Sequence, residues 1–266
     1  HALLPPGLCE CAPGLPWAEG EGSPLVLDGP RLYLRRNWSA EQSILAALRA
    51  RLDRPCPVPE GLSQALALLF PTPAGVDSGE PDWQKLACAL ATRACLTVIT
   101  GGPGTGKTTT VVRLLALLQS GAVRCGAPLR VALAAPTGKA AARLGESIAG
   151  AIARLPPALQ ALKEHLPTQA LTLHRLLQAR AGDAAAPALG ADLVVVDEAS
   201  MIDLDMMARL LAAVPQSARL VLLGDKDQLS SVEAGAVMGQ LCAGADAGRY
   251  TPATVAWARA VAGADL

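Results

Sequence analysis

The sequence has no net charge, little lysine or histidine, and no long hydrophobic run. Its 23 basic and 23 acidic side chains balance, so it lacks the overall positive charge of many nucleic-acid-binding proteins. Any site for a polyanion must therefore be a local groove. Only five residues are lysine and three are histidine. No stretch of about 18 apolar residues occurs, so the sequence predicts no transmembrane helix and no membrane partner.

The seven cysteines are scattered, and only Cys9 and Cys11 stand close together. One C-x-C pair with three histidines in all is a weak zinc signal, so we expect reduced thiols in a cytoplasmic protein. The N-terminus shows no basic start followed by an apolar segment, so we expect no secretory signal. Because the chain begins with His1 rather than Met, we expect a fragment of a longer protein.

The first eighty residues differ in character from the rest. They are rich in proline, and their pattern predicts a hairpin turning near residue 28, a helix opened by a capping box over 39–52 and another helix over 62–70. We interpret residues 1–80 as a small, mostly helical accessory domain that docks a partner. Residues 81–266 form the predicted second domain. The 51% hydrophobic content of the whole chain is ample for a core.

In the second domain, short apolar runs alternate with segments of helical pattern. The runs predict strands over 96–99, 129–134, 193–196 and 220–223. This alternation is typical of an α/β domain with a parallel sheet. Each run ends in a cluster of polar residues, and ligands of such sheets bind beyond the carboxyl ends of the strands. We therefore expect the functional residues to gather at that edge.

A glycine-rich loop follows the first strand and matches G-x-x-x-x-G-K-[ST], the phosphate-binding P-loop. Its glycines let the backbone curl so that successive N–H groups point at one phosphate cluster, and the next helix adds about half a positive charge there. Lys107 can reach the outer phosphates, and the Thr108 hydroxyl can ligate Mg²⁺. The residues predicted to bind a nucleoside triphosphate are Gly101, Gly102, Pro103, Gly104, Thr105, Gly106, Lys107, Thr108 and Thr109.

Polar residues after the third and fourth strands can complete a catalytic site. Asp197 can hold Mg²⁺ with Thr108, and Glu198 can polarise the water that attacks the γ-phosphate. Gln228 can hydrogen-bond the γ-phosphate or the attacking water. Taken alone, the acidic pair fits a solvated turn or a helix cap equally well, and Gln228 fits an ordinary polar loop. Their order after a P-loop favours catalytic roles for Lys107, Glu198 and Gln228.

Further polar residues predict contacts with DNA and with a base. Thr137 and Lys139, after the second strand, offer a hydroxyl, a helix N-terminus and a cation, which are groups that bind a phosphodiester backbone. Thr172 and His174 can add a second contact, although a packed or capping histidine is the simpler explanation of His174 alone. Gln84 carries an amide that can pair with an adenine edge, or it is a surface helix residue.

These motifs, in this order, resemble the superfamily-one DNA helicases, and the specific match is to the RecD family, the alpha subunit of exodeoxyribonuclease V. The resemblance extends over most of the chain. It rests on residues 31–36, 82–85, 101–110, 135–142, 172–177, 196–201 and 223–237.

The resemblance implies a RecA-like P-loop NTPase sheet preceded by a small, mostly helical N-terminal domain. It implies ATP-dependent 5′ to 3′ movement on single-stranded DNA, as one motor of a three-subunit helicase–nuclease in double-strand-break repair. ATP and Mg²⁺ are then the cofactors, and the two other subunits are partners. It further implies an adenine contact at Gln84 and a DNA track at Thr137, Lys139, Thr172 and His174.

Members of this family carry a second RecA-like motor domain that supplies an arginine to the transition state. The chain stops at Leu266, so we expect residues 81–266 to be the first motor domain and the second motor domain to be absent. Such an arginine contributes about 10³-fold or more, so we expect this chain to bind nucleotide but hydrolyse it very slowly. Two other interpretations stay open: a stand-alone RecD-like or relaxase-linked helicase, and a regulatory P-loop ATPase that does not translocate on DNA.

Overall fold

The computed structural model describes residues 2–3, 23–54, 56–71, 81–178, 189–226 and 237–263. Near the N-terminus, three short strands form an antiparallel sheet in the order β1-β3-β2. They are β1 (Ala2–Leu3), β2 (Leu25–Asp28) and β3 (Arg31–Leu34). Strands β2 and β3 pair directly across a turn at Gly29 and Pro30, which confirms the predicted hairpin.

Five parallel strands form the central sheet of the described chain. They are β4 (Leu96–Thr100), β5 (Val131–Ala135), β6 (Leu171–Thr172), β7 (Leu193–Val196) and β8 (Arg219–Gly224). Their order is β4-β8-β7-β5-β6, and every neighbouring pair is parallel. The predicted α/β class with a parallel sheet is confirmed, as are four of its strands. Strand β6 was not predicted, because two residues are too short to show a period.

Helices cover both faces of this sheet. They are α1 (Arg35–Leu52), α2 (Leu62–Leu69), α3 (Trp83–Ala91), α4 (Lys107–Arg124), α5 (Gly138–Ala153), α6 (Leu173–Gln178), α7 (Leu204–Ala213), α8 (Val237–Leu241) and α9 (Pro252–Ala262). Short 3₁₀ helices span 157–165, 199–201 and 245–247. None of the helices in the described ranges combines the length and apolar character needed to cross a membrane.

Strand β7 shows why this sheet is apolar on both sides. Leu193 and Val195 join a hydrophobic cluster with α3, α4 and α5, whereas Val194 and Val196 join a second cluster with α1, α6 and α7. Successive strand residues point to opposite faces, so a strand covered twice must be apolar at every position. All four residues are fully buried. The two clusters together hold the carboxyl edge of the sheet in place.

The predicted start of the first helix is wrong. Helix α1 begins at Arg35, immediately after β3, and Ser39 lies one turn inside it. The N-cap residue, Leu34, provides no side-chain cap. The backbone N–H of Arg35 instead donates to the carbonyl oxygen of Pro24 at 2.8 Å, next to β2. The hairpin therefore satisfies the helix start, and a sequence pattern cannot show such a contact.

A buried arginine ties α1 to the central domain. Arg51 is 1% exposed, and its guanidinium donates to the carbonyl oxygens of Val214 at 2.7 Å and Leu211 at 3.4 Å, at the end of α7. Burial lowers the pKa of Arg51. The buried leucines of helix α2 belong to the same hydrophobic cluster as those of α4. Both helices therefore pack on the central domain, and the boundary predicted near residue 80 stays a prediction.

Two cysteines correct the expectation of reduced thiols. Cys56 and Cys95 form a disulfide that joins the segment after α1 to the residue before β4, with 6.0 Å between their Cα atoms. They lie 39 residues apart in the sequence, so their spacing gives no local signal. Among the described cysteines, Cys88, Cys125 and Cys242 are not part of a disulfide.

We predict that Arg51→Ala lowers the free energy of unfolding by about 2 to 4 kcal/mol, because it leaves buried carbonyl oxygens without a donor. Arg49→Ala is the matched control, since Arg49 is an exposed arginine on the same helix. It should change stability by no more than about 0.5 kcal/mol. Urea denaturation of both variants measures the difference. Equal stabilities would contradict the assigned role of the guanidinium.

Candidate functional site

A cavity of about 340 Å³ lies at the carboxyl edge of the central sheet. That volume is in the range of small-molecule sites. Segments that follow β4, β7 and β8 all contribute to its wall. The lining residues are Pro103, Gly104, Thr105, Gly106, Lys107, Thr108, Thr109, Ala140, Arg143, Leu144, Ser147, Asp197, Glu198 and Asp225. Seven of the nine predicted P-loop residues and both predicted acidic residues are therefore in one cavity.

The glycine-rich loop is shaped by two left-handed residues and one close approach. Gly104 and Gly106 have φ values of +76° and +83°, which side-chain-bearing residues rarely adopt. A Cβ on Gly101 would lie 2.7 Å from the Thr105 hydroxyl oxygen. The N–H of Gly101 also donates to the carbonyl oxygen of Gly224 at 3.2 Å. The loop is thus attached to the end of β8, although Gly101 and Gly102 do not line the cavity.

Lys107 contributes a cation to the cavity wall. Its ammonium donates to the carbonyl oxygens of Gly101 and of Gly102, the latter at 2.9 Å. An ammonium has three N–H donors, and these contacts use two of them. The side chain is therefore held over the loop by backbone oxygens and lines the cavity beside Thr108.

Asp197 enters the cavity at the end of β7. Its own N–H donates to the carbonyl oxygen of Ala134 at 2.9 Å, which continues the β5–β7 ladder by one residue. One carboxylate oxygen accepts from the N–H of Glu198 at 2.9 Å. Burial raises the pKa of Asp197, while the Glu198 N–H and the charges of Lys107 and Arg143 act in the opposite direction. The carboxylate is therefore a partly buried acid held among cations.

Thr108 and Asp197 are a suitable pair for a magnesium ion. Mg²⁺ prefers oxygen ligands and is usually held by one or two protein groups together with substrate phosphates and water. The pair offers a hydroxyl and a carboxylate on the wall of the same cavity. The cost of burying Asp197, which raises its pKa, is the kind of cost that a bound cation relieves.

Glu198 has an unusual backbone. Its φ is +52°, and it is the one non-glycine residue with positive φ among those that the structure describes. It precedes the 3₁₀ helix 199–201, and its left-handed turn directs the chain away from β7. Strain of this kind costs about 1 to 3 kcal/mol and clusters at functional sites. A glutamate rather than a glycine at this position therefore points to a role for its side chain.

Two charged residues of the wall, Arg143 and Asp225, were not given roles from the sequence. Arg143 lies on α5 and is close enough to Asp197 to influence its pKa. A signal was present, because Arg143 follows Lys139 by four residues on a helix that begins at the sheet edge. Asp225 follows β8 directly and stands within the motif already noted there.

The predicted DNA residues lie at the ends of β5 and β6. The Thr137 hydroxyl accepts from the N–H of Ala140 at 3.2 Å and caps α5, and the Thr172 hydroxyl accepts from the N–H of Arg175 at 3.2 Å. Both threonine hydroxyls therefore accept a backbone hydrogen bond within the protein. Lys139 and His174 are exposed. Because β5 and β6 are adjacent and parallel, these residues share the sheet edge with the cavity but do not line it.

The two remaining predicted residues have different outcomes. Gln84 does not line the cavity; its amide N–H₂ donates to the carbonyl oxygen of Thr105 at 3.1 Å, and its amide oxygen accepts from Arg113 at 3.2 Å. It is therefore in contact with the P-loop rather than a free surface residue. Gln228 lies outside the described residues.

The strain at Glu198 predicts an ordering of two variants. Glu198→Gly should be about 1 kcal/mol more stable than Glu198→Ala, because only alanine keeps a Cβ in the left-handed region. The alanine variant is the control for loss of the carboxylate. Chemical denaturation of both proteins provides the comparison, and an alanine variant at least as stable as the glycine variant would rule out the strain.

The chain is similar in sequence to several known proteins. The chain is 46% identical over 252 residues to the RecBCD enzyme subunit RecD of Mycobacterium tuberculosis H37Rv, a match covering 86% of this chain and 41% of that protein. It is 41% identical over 230 residues to the RecBCD enzyme subunit RecD of Haemophilus influenzae, covering 82% and 35%. It is 36% identical over 215 residues to the ATP-dependent RecD2 DNA helicase of Deinococcus radiodurans, covering 74% and 27%.

These matches confirm the resemblance to the RecD family that the motifs predicted. The chain spans less than half the length of each of these relatives. The family described as AAA domain matches residues 84–234, from the start of α3 past the end of β8. That match covers the P-loop, both acidic residues and more than half of the sequence. The chain therefore belongs to the AAA domain family.

Proposed function

We propose that this chain is the nucleotide-binding part of an ATP-dependent DNA helicase. The observation that carries the proposal is the single cavity lined by Lys107, Thr108, Asp197 and Glu198. A P-loop, a hydroxyl and a carboxylate gathered at the carboxyl edge of a parallel sheet are the groups that bind a nucleoside triphosphate with its metal. Similarity to the ATP-dependent RecD2 DNA helicase supports DNA as the second ligand.

Each residue of the cavity has a role in this proposal. The loop 101–109 binds the phosphates, with Lys107 neutralising charge on the outer ones. Thr108 and Asp197 would hold Mg²⁺, and the ion would offset the negative charge of the phosphates. Glu198 accepts a proton from the attacking water, and its strained turn keeps the carboxylate on the cavity wall. Gln228 is proposed to contact the γ-phosphate.

The proposed DNA site occupies the neighbouring part of the same sheet edge. Thr137 and Lys139 begin α5, while Thr172 and His174 stand at β6. The exposed ammonium of Lys139 and the helix N-terminus suit a phosphate backbone. Helix α5 then continues to Arg143 on the nucleotide cavity. One helix therefore links the proposed strand of single-stranded DNA to the proposed nucleotide.

We further propose the finer features that the family resemblance implies. These are 5′ to 3′ movement, assembly with two other subunits of a RecBCD-like helicase–nuclease, a role in double-strand-break repair, and a cytoplasmic location with the DNA. The similarity to RecBCD subunits of two bacterial species supports the assembly.

The second candidate is a helicase that acts without those subunits. The similarity to the Deinococcus RecD2 helicase motivates it. Affinity purification of the protein from its own cells separates the two candidates. Recovery of two large partners in equal amounts supports the subunit, and recovery of a single species supports the stand-alone enzyme.

We predict that Lys107→Ala lowers the affinity for Mg²⁺–ATP by about tenfold to a hundredfold, the loss expected when charge-assisted hydrogen bonds are removed. Displacement of a fluorescent ATP analogue measures the affinity. Lys163→Ala, in the 3₁₀ helix 157–165, is the matched control and should bind as the wild type does. Wild-type affinity in Lys107→Ala would contradict the proposed phosphate site.

Lys139→Ala should weaken binding to single-stranded DNA and make it less dependent on salt. Loss of one phosphate contact should reduce the slope of log affinity against log salt by about 0.7. Fluorescence anisotropy of a labelled oligothymidylate over a salt series measures the slope, again with Lys163→Ala for comparison. An unchanged slope would remove Lys139 from the DNA track.

A further inference from the structure

Arg113, on α4, is held between an aromatic ring and an amide. Its guanidinium carbon lies 4.4 Å from the centroid of the Phe70 ring, just after α2. One of its terminal nitrogens donates to the side-chain oxygen of Gln84 at 3.2 Å. The Phe70 side chain is 5% exposed, so the ring is itself fixed by packing. Arg113 therefore presents its donor to Gln84 from a defined position.

The other end of the Gln84 amide is fixed as well. Its N–H₂ donates to the carbonyl oxygen of Thr105 at 3.1 Å. A Cβ added to Gly106 would lie 2.6 Å from the same nitrogen, so the amide rests directly against the P-loop. Arginine can only donate and a backbone carbonyl can only accept, so these two partners allow one orientation of the amide and exclude its flipped form.

This orientation leaves the amide with capacity for a ligand. A carbonyl oxygen has two lone pairs, and one of them accepts from Arg113. An amide nitrogen has two N–H groups, and one of them donates to Thr105. Adenine presents an amine donor next to a ring-nitrogen acceptor, which the remaining pair can match. Guanine presents two acceptors along the same edge, so its carbonyl oxygen would face the oxygen of Gln84.

We propose that Arg113 is a positioning residue that gives this chain its preference for adenine over guanine nucleotides. It acts through Gln84, by holding the amide in the orientation that accepts from the adenine amine. The inference rests on the proposed function, because it assumes that a nucleoside triphosphate occupies the adjacent P-loop. Phe70 then connects the N-terminal segment, by which we mean residues 23–71, to base recognition.

The test compares base recognition with phosphate binding. Competition against a fluorescent ATP analogue gives the affinities of ATP, GTP and inorganic tripolyphosphate for the wild type and for Arg113→Met, which keeps an apolar stem without donors. We expect the wild type to prefer ATP. In the variant, the ratio of ATP affinity to GTP affinity should fall about tenfold, and the affinity for tripolyphosphate should not change. Gln84→Leu should show the same loss, and the double variant no further loss.

Two further variants separate this role from a structural one. Arg113→Lys can still donate to Gln84 and should retain most of the ratio. Arg93→Met is the matched control, because the guanidinium carbon of Arg93 also lies over an aromatic ring, 4.6 Å from the centroid of Trp257. Arg93 follows the C-terminal end of α3, whereas Gln84 lies at its N-terminal end. It should leave the ratio unchanged. Circular dichroism identifies any variant that fails to fold; if Arg113→Met fails, Arg113→Leu, which also lacks a hydrogen-bond donor, takes its place with the same expected loss of the ratio.

The outcomes distinguish this inference from the proposed function. Tripolyphosphate binding with equal affinities for ATP and GTP in the wild type would overturn the inference and leave the proposed function standing. An unchanged ratio in folded Arg113→Met would also overturn it. If the wild type binds neither tripolyphosphate nor any nucleotide, the proposed function fails and the inference fails with it.

Discussion

The parallel pairing of β4 with β8, and of β8 with β7, brings the functional groups together. Thr100 lies opposite Gly224 in register, and the N–H of Gly101 extends that ladder into the P-loop. Val196 lies opposite Leu222 on the other side of β8, so Asp197 leaves the sheet at the same edge. A shift of one residue in either pairing would separate the loop from the carboxylate. The proposed nucleotide site is thus a consequence of strand register.

Packing on both faces maintains this register. The alternation within β7 and β8 sends successive apolar side chains into the two hydrophobic clusters, and the helices of the N-terminal segment complete both. Arg51 joins α1 to α7, and Phe70 meets Arg113 on the P-loop helix. The described part of the N-terminal segment, residues 23–54 and 56–71, therefore packs against helices on both faces of the central sheet.

Sequence patterns predicted what local chemistry determines. The strands were found because runs such as 193–196 are apolar throughout, and the P-loop because its glycines and Lys107 have a fixed spacing. Asp82 shows the same local control, since its carboxylate caps α3 by accepting from two N–H groups of that helix. Helix α7 was missed, although Asp203 caps it in the same way and gave a usable signal.

Features that depend on distant contacts could not be predicted. The start of α1 is set by a hydrogen bond to Pro24, the residue before β2, and the spacing of Cys56 and Cys95 gives no local signal of their disulfide. The positive φ of Glu198 and the contacts of Gln84 with Thr105 and Arg113 arise only when the sheet is assembled. Of these residues, Thr105 and Glu198 line the cavity, where local preference most often gives way to function.

The most direct test of the account is hydrogen–deuterium exchange with and without Mg²⁺ and a slowly hydrolysed ATP analogue. Binding at one shared cavity predicts slower exchange in the peptides that contain 101–109 and 196–199 together, and dependence of the second effect on Mg²⁺. Protection of the first peptide alone, or of neither, would contradict a magnesium–triphosphate site formed jointly by the P-loop and the end of β7.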